Sequence, residues 1–159
     1  MRHRASMRPV SIPHPAMPEG DWGDCFSITT SASGLTPEIA ARQIMGSRPN
    51  WVVRLMLMRD FLMRPFGLKS GMHEPDNADV IGIFPVIARD NTSITLGLND
   101  RHLDFRLVIE LEPTSGEQTH IHAITIVKRH NIFGRLYLAT ITPFHNRIVP
   151  AMLNSAYAA

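Results

Sequence analysis

The chain has 159 residues, 44% of them hydrophobic, which is enough for one domain with a sizeable core. Its 16 basic and 14 acidic residues leave a net charge of +2, and no basic stripe is interleaved with aromatics, so the composition argues against a nucleic-acid partner. No apolar run approaches the ~20 residues of a membrane span, since Arg54, Arg59 and Asp60 interrupt the longest candidate, and the single Cys25 excludes an intrachain disulfide and fits a reducing cytoplasm.

Residues 1–20 hold Pro9, Pro13, Pro15 and Pro18 without a hydrophobic period. They read as an extended Pro-rich arm, disordered or partly docked, ahead of a single domain at 21–159. The basic opening has no apolar stretch behind it, so it is not expected to be a secretory signal. A strand is predicted at 22–30, with Cys25 and Phe26 as its apolar members. Thr36 is then a helix N-cap with Pro37 at the first helical position, and Gly46 is the stop.

A second helix follows Asn50, with Trp51, Leu55, Met58 or Arg59, and Leu62 as its inner face, and ends near Pro65. Arg54, Asp60 and Arg64 form its wet edge, and Arg59–Asp60 reads as an ion pair. A polar loop is expected at 69–79. Strands follow at 80–89 and 93–98 around the turn 90–92, then at 102–112 and 118–129 around the turn 113–116. From Ile132 the period is helical through Phe133, Leu136, Tyr137, Ile141, Phe144, Ile148 and Met152. Pro143 and Pro150 are expected to kink or break that helix.

Helices segregated from a run of antiparallel strands make an α+β fold. A sheet with one apolar face needs a cover, and the C-terminal helix is the natural one.

Several motifs stand in a fixed order: Asp21-Trp22 with Asp24 and Phe26, Pro49-Asn50-Trp51, Leu55-Met56 with Arg59-Asp60, Gly67-Leu68-Lys69 and Gly82-Ile83-Phe84-Pro85. Then come Gly97 with residues 99–105, His130-Asn131 with Gly134-Arg135-Leu136-Tyr137, and Pro143-Phe144-His145. Over about residues 20–156 the chain resembles an uncharacterised bacterial family of domains of unknown function, found alone or fused behind short-chain-dehydrogenase-like domains. That family is similar to the START-like helix-grip superfamily. The resemblance implies a curved antiparallel sheet wrapping a long C-terminal helix around an apolar cavity for a small apolar or amphipathic ligand, and it carries no established chemistry. Pro150 inside the last helix departs from the expected pattern.

Residues 103–111 alternate strictly, placing Leu103, Phe105 and Leu107 on the core face and His102, Asp104 and Arg106 opposite. With the resemblance, the expected ligand wall is Phe84, Leu103, Phe105, Leu107, Tyr137, Ile141, Phe144 and His145. The charged group Asp100, Arg101, His102 and Asp104 could be a catalytic cluster. Strand parity turns it outward, toward a corner or a contact surface of a possible homodimer.

His120 and His122 share a strand face. Pairing Glu112 with Glu117 would turn both histidines inward, whereas a one-residue slip sends them to solvent and turns Thr119, Ile121, Ala123 and Val127 inward. The like-charge pair favours the slip. In the unslipped register His102 and Asp104 lie roughly 17 Å from these histidines, so no metal site is expected. Cys25 reads as buried and inert. No local signature of a nucleotide, hydrolase or metalloprotease site occurs, and no cofactor is expected. An acid–base enzyme of cyclase or isomerase type would use His122, His145 or Tyr137 as its pocket group.

Overall fold

A computed structural model describes residues 3–66, 79–82 and 84–158, five of them (56, 59, 62, 63 and 66) by backbone alone. Seven antiparallel strands form one curved sheet: β1 (Ser6–Arg8), β2 (Trp22–Thr30), β3 (Val80–Ile81), β4 (Phe84–Arg89), β5 (Ser93–Asn99), β6 (Leu103–Pro113) and β7 (Thr119–Arg129), in the spatial order β1-β2-β7-β6-β5-β4-β3. Helices α1 (Pro37–Gly46) and α2 (Asn50–Met63) follow β2, and α3 (Ile132–Tyr157) comes last. Sheet, short helices and long final helix make the expected α+β helix-grip architecture. The core fills the space between the inner sheet face, α1 and the C-terminal half of α3, around Ile28, Ile44, Leu96, Ile109, Ile121 and Leu153.

Helix α1 begins as predicted: the Thr36 hydroxyl accepts from the Ile39 N–H, Pro37 occupies the first turn, and Ala40, Ala41, Ile44 and Met45 are buried. Helix α2 differs from expectation. Among its described side chains Val52 is fully buried, and the expected Leu55 and Met58 border the space under the sheet. The expected Trp51 is exposed with Leu57 and Phe61, and the side chain of the expected Leu62 lies outside the described residues. Apolar residues surround this helix on all sides, so no polar face sets the phase of its inner stripe. The expected loop at 69–79, apart from Asp79, lies outside the described residues, as does the Arg59 side chain of the expected ion pair.

The strand expected at 80–89 is a tight hairpin of β3 and β4, with Val80 opposite Pro85 and Ile81 opposite Phe84. Gly82 makes the reversal at φ 63°, where a Cβ would also press on Met45 at 2.9 Å.

The β6–β7 register is neither of those foreseen: Glu112 lies opposite His120 and Glu110 opposite His122. The loop spans residues 114–118, closed by the Thr114 N–H donating to the Gln118 carbonyl, with Gly116 and Glu117 both at positive φ. That longer loop shifts the ladder and still gives the parity of the slipped reading. Ile121, Ala123, Thr125 and Val127 face the core side, and both histidines face away from it.

Helix α3 is continuous across Pro143 and Pro150, which correct the expected break by withdrawing donors only from the Ala139 and Asn146 carbonyls. Its inner stripe runs through Gly134, Leu138, Ile141, His145, Ile148 and Met152, while Phe133 and Leu136 are exposed. Gly134 sets this phase. Its Cα rests on the backbone of the β5–β6 corner, where a Cβ would meet the His102 carbonyl oxygen at 2.1 Å.

The arm is docked. Strand β1 pairs with β2, the Ala5 N–H donates to Asn154 Oδ1 at 2.8 Å, and Met17 is buried with Cys25, Val108, Ile124 and Ile126 on the outer sheet face.

Candidate functional site: a cavity with a polar floor

A cavity of about 270 Å³ lies between the inner sheet face and α3. Alternate residues of β6 (Leu103, Phe105, Leu107, Ile109) form one wall, because a strand presents every second side chain to one side. Ala123, Thr125 and Val127 of β7 continue it, and Tyr137, Ile141, Phe144, His145 and Ile148 of α3 close it. All eight residues expected on the wall line the cavity: Phe84, Leu103, Phe105, Leu107, Tyr137, Ile141, Phe144 and His145. Phe84 and Phe105 are in ring contact at 5.1 Å. The volume lies just below the roughly 300–1,000 Å³ of drug-sized sites, which sets the scale at a small molecule. Arg48, Asn99 and Asp100 supply polarity on the lining, and Leu55 and Met58 of α2 also border the space.

The polar floor was not foreseen from the sequence. Asp24 on β2, 8% exposed, sits directly opposite Thr125 on β7, so their side chains share the inner face. His145 reaches them from α3: its Nε2 donates to Asp24 Oδ1 at 3.1 Å and lies 3.0 Å from Oδ2. The second contact makes no directed hydrogen bond, and both Asp24 Oδ2 and Thr125 Oγ1 are buried oxygens without a hydrogen-bond partner among the described residues. The imidazole edge meets the rings of Trp22 and Phe26, with centroids 6.1 and 6.3 Å away. Asp24 and His145 stand 121 positions apart, and neither neighbourhood alone announces the pair. The one signal was Asp24 as a carboxylate in strand alternation with Trp22, Phe26 and Ile28.

The charged group of residues 100–104 is divided by the fold. His102, expected on the outward face, is buried at 8% exposure. It precedes β6, so strand alternation does not govern it. Its Nδ1 accepts from Asn131 Nδ2 at 3.0 Å, and its ring lies 5.4 Å from Phe133. Asn131 Oδ1 caps α3 by accepting from the Gly134 N–H, so His102 braces the start of the helix. Asp104 is engaged by His130 Nε2 at 3.0 Å. Asp100 lines the cavity, and Arg101 is exposed. These four do not form one patch.

The outer face carries a second cluster. His122 Nδ1 is 2.5 Å from Ser27 Oγ, and Nε2 is 3.0 Å from Glu112 Oε2. The Cys25 sulfur first and then the Glu112 carboxylate, against the opposing effect of burial, push His122 up to about 9. His120 bonds Thr29 Oγ1 at 2.8 Å. His122 is therefore not a cavity group, which removes it from the acid–base candidates. Among the described residues no three His, Cys, Asp or Glu side chains converge as a metal site, and no helix is long and apolar enough to cross a membrane.

Residues 16–152 match the family described as protein of unknown function (DUF2867). The chain belongs to that family. The match takes in β2 through most of α3, and so every cavity-lining element, together with the buried end of the arm at Met17. No curated protein and no solved structure matches the chain.

Proposed function

We propose that this DUF2867 domain binds a small apolar or amphipathic molecule in the cavity between its sheet and α3. The observation that carries the reading is the cavity of about 270 Å³, walled by the apolar half of β6 and the inner stripe of α3. A void of that size lined by Leu, Ile and Phe leaves contacts unmade that a ligand would supply. The resemblance to START-like helix-grip domains points the same way, and the unpaired buried Cys25 accords with a reducing cytoplasm. Native mass spectrometry of freshly purified protein, with uptake of the lipophilic dye N-phenyl-1-naphthylamine, tests it. Bound small molecules or saturable dye uptake support the proposal, and neither appearing would defeat it.

A second reading is favoured by the Asp24–His145 pair. A carboxylate that orients an imidazole beside an apolar space is a general-base arrangement, as an isomerase or cyclase would use. His145 is then the base and Asp24 its positioning residue. Exchange of the α-protons of octan-2-one in heavy water, followed by NMR, reads this activity. Exchange that is no faster with the protein than with its His145→Gln variant would eliminate it.

A further inference from the structure

We infer that the cavity selects a neutral oxygenated ligand, an apolar body bearing one hydroxyl or carbonyl, and anchors that oxygen on Thr125. The inference rests on the cavity reading and names its ligand class. Thr125 lines the cavity and is 3% exposed, and its hydroxyl oxygen is buried without a hydrogen-bond partner among the described residues. A buried hydroxyl left unpaired is costly, and a ligand oxygen at that point would satisfy it. The hydroxyl is both donor and acceptor, so it serves an alcohol or a ketone alike.

Charge decides against an acid. Asp24 faces Thr125 across the β2–β7 ladder, and its carboxylate already engages His145. A second carboxylate beside it would meet like charge in a poorly solvated place. The other basic side chain on the described lining, Arg48, is exposed on the α1–α2 connection and belongs to the mouth. Asp24 already has His145 as its counter-group, and the carboxylate on the described lining, Asp100, stands at the end of β5 rather than beside Thr125.

Displacement of bound N-phenyl-1-naphthylamine by octan-1-ol, octan-2-one and octanoate tests the inference, in the wild type and in Thr125→Val. Valine keeps the shape of threonine and removes only the hydroxyl. The alcohol and ketone should displace the dye at concentrations about tenfold below octanoate. In the variant they should weaken by roughly three- to tenfold, one hydrogen bond's worth, while the dye's own affinity is unchanged. The melting temperature of Thr125→Val should be equal to or above that of the wild type, because no protein partner is lost. Octanoate competing as well as octan-1-ol, or a variant that treats all three compounds as the wild type does, would overturn the head-group assignment with the cavity reading intact. A large drop in melting temperature would show that the hydroxyl serves the fold and would also overturn it. Failure of the wild type to take up the dye would overturn both.

Discussion

His122 shows how a residue's surroundings set its chemistry. Cys25, Ser27 and Glu112 gather around it from two neighbouring strands, and its imidazole is held up to about 9 against an ordinary value of 6.5. A value raised by folding means stability that is complete below pH 6.5 and is lost as the pH rises through 9. An NMR titration of the His122 ring should give a midpoint near 9. Cys25→Ser should lower it more than Glu112→Gln, since the sulfur is the larger cause. A midpoint near 6.5 in the wild type would refute this. Gly134 illustrates the converse, a residue whose lack of a side chain matters. In Gly134→Ala the new methyl would lie 2.1 Å from the His102 carbonyl oxygen, against backbone that cannot swing aside. The variant should lose about 3 kcal/mol or more in urea unfolding, at the upper end of overpacking effects. Neither role was legible in the sequence: His122 needed the β2–β7 register, and Gly134 resembled any helix-start glycine.

At the scale of elements, period and parity were readable where a polar face opposed an apolar one. The alternation from Leu103 to Leu111 located β6 and its inner residues, and Thr36-Pro37 located the start of α1. Phase failed where that contrast was missing, as in α2, or where a tertiary contact imposed it, as at Gly134 in α3. Register failed between β6 and β7 because it depends on the backbone of the 114–118 loop, with Glu117 at φ 62°, a conformation few non-glycine residues signal in advance. The arm is the other element that only docking explains, since prolines disguise a segment whose Met17 is 2% exposed. Met17→Ala should therefore cost about 3 kcal/mol, as for a core methionine. A change below 0.5 kcal/mol in denaturant unfolding would show that the arm does not cover the outer face in solution.

For the whole molecule, the cavity lies where two curved surfaces meet without filling the space between them. Ala123 stands on its wall, 1% exposed, among larger side chains. Ala123→Leu should occupy part of the void, reduce dye uptake at least tenfold, and leave the melting temperature unchanged or higher. Unaltered uptake in a folded variant would place the dye elsewhere. The sequence by itself determined the α+β order and which residues of β6 face inward. Those follow from local periodicity, which the backbone geometry of strands and helices translates directly into a facing. Only the tertiary structure decided that Asp24, Thr125 and His145 share one floor, that His102 is buried beneath a helix start, and that the arm closes the outer face. Those arrangements depend on strand order and on the phase of α3, both set by contacts between residues far apart in the chain.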